Sequence, residues 1–126
     1  MKNKKKYYFP ILLLIFICAS IIILGSFALN IREECAFKYL EANALEDSGR
    51  YWDAYNKYNE IINWGDSAKR AEQIYPYAAY EYGEKLYYDG NYVESIRFLF
   101  DASEGGVDEA NDLLYITMVA YIKDQE

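Results

Sequence analysis

The sequence predicts an all-α protein: one membrane-crossing helix, then a solenoid of about two and a half stacked helical hairpins. Three observations carry this. An uncharged, apolar stretch occupies the start of the chain. The phrase GRYWDAYNKY at 49–58 returns as GNYVESIRFL at 90–99, 41 residues later. Around both phrases, apolar residues recur at helical spacing and glycines punctuate them.

The first element follows from charge and length. Residues 7–31 carry no charge, and the apolar stretch 9–29 is 21 residues long. At about 1.5 Å per residue, a helix of that length crosses the ~30 Å hydrocarbon layer. Pro10 suits a first helical turn, where its missing N–H costs nothing. Tyr7, Tyr8 and Phe9 stand where interfacial aromatics belong. Lys2, Lys4, Lys5 and Lys6 precede the stretch, and only Arg32 and Lys38 follow it on an acidic flank. This asymmetry predicts residues 1–8 in the cytoplasm, 9–30 as a transmembrane signal anchor and 31–126 outside the cytoplasm. A cleaved signal peptide is the alternative, with apolar centre 11–24 and Ser26-Phe27-Ala28 as a small-x-small cut, leaving a secreted helical domain. The apolar run past the would-be centre to Leu29 favours the anchor. A lipid-attachment reading of Cys18 fails on the bulky Ile17 before it.

No Gly or Pro interrupts 29–48, so the first helix is expected to continue from the membrane to about 48. Gly49 and Gly90 then end helices by adopting the left-handed conformation. Further helices are expected near 51–63, 66–88, 91–103 and 107–123, with Gly65 and Gly105 as stops. Asn91 and Glu94 have capping-box spacing, and Asp66 and Asp108 stand where caps are needed. Pro76 is expected to kink the third helix. Tyr92, Ile96 and Leu99, with Val93, Phe100 and Ala102, form an apolar face.

The repeat extends beyond the opening phrase. Ala44-Leu45 aligns with Lys85-Leu86, Asp47-Ser48-Gly49 with Tyr88-Asp89-Gly90, and Tyr51 with Tyr92. After one extra residue, Asp66-Ser67-Ala68 aligns with Asp108-Glu109-Ala110, and Ile74 with Ile116. A period of 41–42 residues lies in the range of helical solenoids. In that reading the Gly is a hairpin corner and the Tyr a wedge between helices with its hydroxyl toward water.

Gly49-Arg50-Tyr51 with Ala54 and Tyr58, and Gly90-Asn91-Tyr92 with Ser95, Leu99 and Ala102, resemble the turn and second helix of tetratricopeptide repeats. Ala42 and Gly83 fall where that family keeps a small residue, and Leu45 and Leu86 at an apolar position of its first helix. Trp64-Gly65-Asp66-Ser67-Ala68 is similar to the junction of a longer-period bacterial variant. The likeness covers about 35–125. Lys38 and Ala79 replace the family's first-helix aromatic, and its closing proline is absent. The resemblance implies a right-handed solenoid that scaffolds other proteins by holding peptides or helices. It also implies a groove at the family's concave positions, here Tyr39, Asn43, Tyr77, Tyr80, Glu84 and Tyr87. Glu84 there favours a basic partner, and Tyr80, Glu81 and Glu84 disagree with a carboxylate clamp. Against this stands ordinary core packing for most of the fifteen tyrosines.

Composition narrows the function classes. Thirteen Lys and Arg face twenty Asp and Glu, and beyond residue 30 nine basic face twenty acidic residues, a net of −11. Nucleic acid is therefore not an expected partner. No His is present, so the commonest general base and metal ligand are missing. No Gly-rich phosphate cradle occurs, and no cofactor, metal site or catalytic residue is predicted. Glu33, Glu34, Glu41, Glu46 and Asp47 lack calcium-loop spacing and read as a solvated helical face. Cys35 reads as a packed thiol, or as a bridge to its copy across a dimer. The last helix, LLYITMVAYI at 113–122, is apolar nearly all round, although a terminal helix normally shows water a polar face. Ile116, Val119 and Tyr121 are therefore candidates for self-association into a homo-oligomer. The sequence thus predicts a membrane-anchored, non-enzymatic protein-interaction module, with a self-associating structural protein as the alternative.

Overall fold

The computed structural model describes residues 5–126. Five α-helices make up the fold, and no strand occurs among the described residues: α1 Lys5–Asp47, α2 Tyr51–Glu60, α3 Ser67–Tyr88, α4 Tyr92–Glu104 and α5 Glu109–Asp124. Residues 1–4, with the Lys2 and Lys4 assigned above to the cytoplasm, lie outside the described residues. The chain divides into two compact units, Met1–Ala36 and Phe37–Glu126.

The first unit is the apolar part of α1. Nearly every side chain from Tyr8 to Leu29 is exposed, and the helix is long and apolar enough to cross a membrane. The Ser20 and Ser26 hydroxyls donate to the Phe16 and Ile22 carbonyls at 2.8 and 2.9 Å. Both hydroxyls are thus satisfied within the helix, as hydrocarbon surroundings would require.

In the second unit, each helix packs on its neighbour in sequence: α2 on α3, α3 on α4 and α4 on α5. The end of α1 joins through a cluster of Ala42, Ala54, Tyr58, Ala71 and Ile74, with Tyr39, Leu45, Tyr51 and Tyr55 against it. A second cluster holds Ala79, Ala102, Val107 and Ala110, with Tyr75, Tyr80 and Phe98 around it. Alanines make up most of both cores, so the helices approach closely; Tyr58 is buried within the first, and other tyrosine rings close the margins. Gly83 shows why. A Cβ there would lie 2.9 Å from the Leu99 Cγ, and the buried Ser95 hydroxyl donates to the Gly83 carbonyl at 2.7 Å. The small residues expected at Ala42 and Gly83 thus sit at buried helix contacts.

The corners repeat in detail. At Gly49, φ is +77°, the Gly49 N–H reaches the Glu46 carbonyl and the Arg50 N–H reaches that of Leu45, both at 3.0 Å. At Gly90, φ is +76°, with the same pair of bonds to Tyr87 and Leu86. This is the left-handed helix stop predicted for both glycines. A third copy ends α4, but on Gly106, whose φ is +90°, and not on Gly105. Gly105 is right-handed at φ −78° and serves another purpose: a Cβ there would lie 2.4 Å from the Pro76 ring. Pro76 itself lies within α3, which runs unbroken from Ser67 to Tyr88.

The local caps differ from expectation. Asp66, Asn91 and Asp108 occupy cap positions but make no side-chain capping bond. Glu94 pairs instead with Arg97 at 2.7 Å, and Asp66 accepts the Tyr39 hydroxyl at 2.6 Å. The second helix ends at Glu60, three residues before the expected end at 63, and Gly65 serves the turn that follows, at φ +55°. At Asp66 a partner on another helix outcompetes the cap, and Glu94 is taken by a neighbour within its own helix.

Candidate functional site

Tyr77, Tyr80, Glu81 and Glu84 share one face of α3, because positions three and four apart on a helix are neighbours. The corner at Gly49 and the start of α2 bring Tyr51 against them. Together they line a cleft of about 230 Å³: Gly49, Tyr51, Tyr77, Tyr80, Glu81 and Glu84. The Tyr51 and Tyr77 ring centroids are 5.3 Å apart and tilted by 35°. Tyr77 is 50% exposed. One carboxylate oxygen of Glu81 accepts the Trp52 N–H at 2.9 Å. Partial burial first, then the charges of Glu84 and of Glu109 on α5, push the Tyr80 hydroxyl above its ordinary value.

Three of the six predicted groove residues meet here, namely Tyr77, Tyr80 and Glu84. The other three do not line the cleft. Tyr39 donates to Asp66, and Asn43 lies within hydrogen-bond reach of the Tyr58 hydroxyl. Tyr87 sits 5.3 Å from Tyr88 and 6.0 Å from Tyr92, ring to ring. Gly49, Tyr51 and Glu81 were not among the groove candidates. The corner phrase did mark Gly49 and Tyr51, but as structural parts.

The Asn43 side chain belongs to a polar network between α1, α2 and α3. Tyr58 is fully buried, and its hydroxyl sits between Asn43 and Glu46, the latter at 2.8 Å. Arg70 pairs with Glu46 at 3.3 Å. Burial and then the Glu46 carboxylate push the Tyr58 hydroxyl far above its ordinary value. Glu46 and Glu41, read above as part of a solvated face, are ion-paired, with Arg70 and with Lys57, both at 3.3 Å.

A further group of aromatics packs between α2, α3 and α4. Trp52 stacks on Tyr82 at 4.0 Å, 5° from parallel, and Phe98 stands edge-on to both rings. The Arg97 guanidinium covers Phe98 at 4.5 Å, and Tyr55 lies 5.2 Å from Tyr75. Tyr55 and Tyr75 border a second cleft of about 340 Å³, completed by Asn59, Ile62, Ala68, Ala71 and Glu72. The Tyr75 hydroxyl donates to Asp101 at 2.7 Å; burial and this carboxylate push it up to about 12.

On α5, Ala110 and Thr117 are buried. Ile116 and Tyr121 are exposed with Tyr115, Met118 and Ile122, and Val119 is half-buried. Cys18 is exposed, Cys35 half-buried, and both are free thiols. Among the described residues no cluster of three acidic, Cys or His side chains is placed to hold a metal. No family model, curated protein or solved structure matches the chain.

Proposed function

We propose that the chain is a single-span membrane protein whose helical domain, outside the cytoplasm, docks another protein. The observation that carries this is the cleft of Tyr51, Tyr77, Tyr80 and Glu84, in which Tyr77 is 50% exposed and Tyr51 and Tyr80 are partly so. Tyrosine gives large, rigid contact area at low entropic cost, which suits a docking surface. The exposed apolar part of α1 supports the membrane anchor, and the lysines before it support the orientation. The shared corners at Gly49 and Gly90 support a repeated, tetratricopeptide-like helical hairpin. A photo-crosslinking residue at Tyr77, with exposed Lys69 as control, tests the reading in cells. A discrete foreign polypeptide captured from 77 and not from 69 is the expected result. The same products from both positions, or none, sink it.

A second reading rests on α5, whose exposed Tyr115, Ile116, Met118 and Ile122 favour self-association. Ile116→Glu with Tyr121→Glu should then turn an oligomer into monomers in light scattering, with helix content unchanged. An unchanged assembly state rejects it.

A further inference from the structure

The chemistry of the α3 cleft names what enters it, resting on the docking reading above. Its volume of about 230 Å³ lies below the ~300–1,000 Å³ of small-molecule sites, and suits one long side chain. Its walls are largely aromatic, with Tyr51 and Tyr77 as a tilted pair and Tyr80 one turn on. The faces of such rings attract cations. Glu84 lines the same space, and among the described residues no Lys or Arg forms an ion pair with it. Glu81 holds the Trp52 N–H, and Glu109 adds negative charge beside Tyr80. The adjacent cations Arg50 and Lys85 are engaged by Asp53 and Asp89. Ring faces and carboxylate therefore agree in sign.

We propose that this cleft receives a lysine or arginine side chain from a basic segment of a partner protein, held against the Tyr51 and Tyr77 rings and paired with Glu84. A second copy is a poor source of that cation. From residue 37 on, the chain has eight Lys and Arg, and six of them (Lys38, Arg50, Lys57, Arg70, Lys85 and Arg97) already pair with its own carboxylates. That part also carries eighteen acidic residues, so copies repel one another.

The test uses the full chain in phosphatidylcholine nanodiscs and fluorescent decapeptides of alternating Ala–Lys, Ala–Arg or Ala–Glu, read by anisotropy. The basic peptides should bind and the acidic one should not. Glu84→Gln should weaken binding roughly tenfold and Tyr77→Ala about fivefold, with Asp124→Asn, a remote acidic site, within about twofold. Circular dichroism on each variant checks that the helices persist. Equal weakening by all three variants means diffuse attraction to an acidic surface and overturns the proposal. So does failure of both basic peptides to bind. The cross-link from 77 separates the two readings. A captured protein whose linked segment lacks Lys and Arg overturns the cation pocket and keeps the docking reading. Glu84-dependent peptide binding with no protein captured keeps the pocket and removes the docking reading.

Discussion

The carboxylate of Glu81, in the middle of α3, accepts the main-chain N–H of Trp52 in the first turn of α2 at 2.9 Å. It caps a helix to which it does not belong. The cap position of α2 is Arg50, whose side chain pairs with Asp53 and cannot accept a backbone N–H. A carboxylate near a helix N-terminus also meets the positive end of the helix dipole. Glu81→Ala should therefore cost about 1 kcal/mol and lower the melting temperature by roughly 5 °C. Thermal melts by circular dichroism check this, and an unchanged midpoint would show the contact to be idle.

Pro76 and Gly105 form a second pair joined by tertiary structure. Gly105 has an ordinary right-handed φ of −78°, so alanine there is not penalised by the backbone. Its Cβ would meet the Pro76 ring at 2.4 Å, and a ring fused to the main chain cannot swing aside. Gly105→Ala is expected to destabilise by about 1–3 kcal/mol. In Pro76→Gly, which removes the ring together with its Cβ at 2.5 Å, the same change should cost less, a coupling that a double-mutant cycle in urea measures directly. Additive costs would reject the contact.

Tyr75 makes alkaline stability testable. Its hydroxyl is pushed up from 10.0 to about 12 by burial and by Asp101. The folded state thus holds this proton more tightly than the unfolded chain does. The stabilisation is fully present below pH ~10 and is lost as pH rises from ~10 toward ~12. Tyr75→Phe should flatten the fall in stability across that window, with Tyr58, Tyr39 and Tyr80, shifted in the same direction, contributing to the remainder. Urea midpoints at stepped pH, beside tyrosinate absorbance, supply the measurement. An identical slope in the variant would remove Tyr75 from the account.

The apolar half of α1 predicts tight membrane association. The wild-type chain should stay in the pellet after an alkaline carbonate wash, and Ile17→Arg should lower insertion by ~3 kcal/mol. Protease added outside intact cells should remove the acidic domain. A mature chain beginning at Leu29, seen by mass spectrometry, would instead establish cleavage.

What the sequence determined by itself is what neighbouring residues decide among themselves. The uncharged run 9–29 specifies a helix suited to hydrocarbon because length and polarity are local properties. Gly49 and Gly90 specify corners because a left-handed turn depends chiefly on the residue that adopts it. Helix order and type were legible for the same reason. Partner choice was not. Sequence spacing suggested that Asp66 and Asn91 cap their own helices, yet Asp66 takes Tyr39 from another helix, and Glu81 caps α2 from 29 residues away. Half of the groove residues expected from the resemblance joined the cleft; Tyr39, Asn43 and Tyr87 went to other contacts, and Tyr51 entered from the corner. The physical reason is one of distance and direction. A side chain bonds to whatever helix packing brings within about 3 Å, and the spacing along one helix does not encode which face of another helix will arrive there.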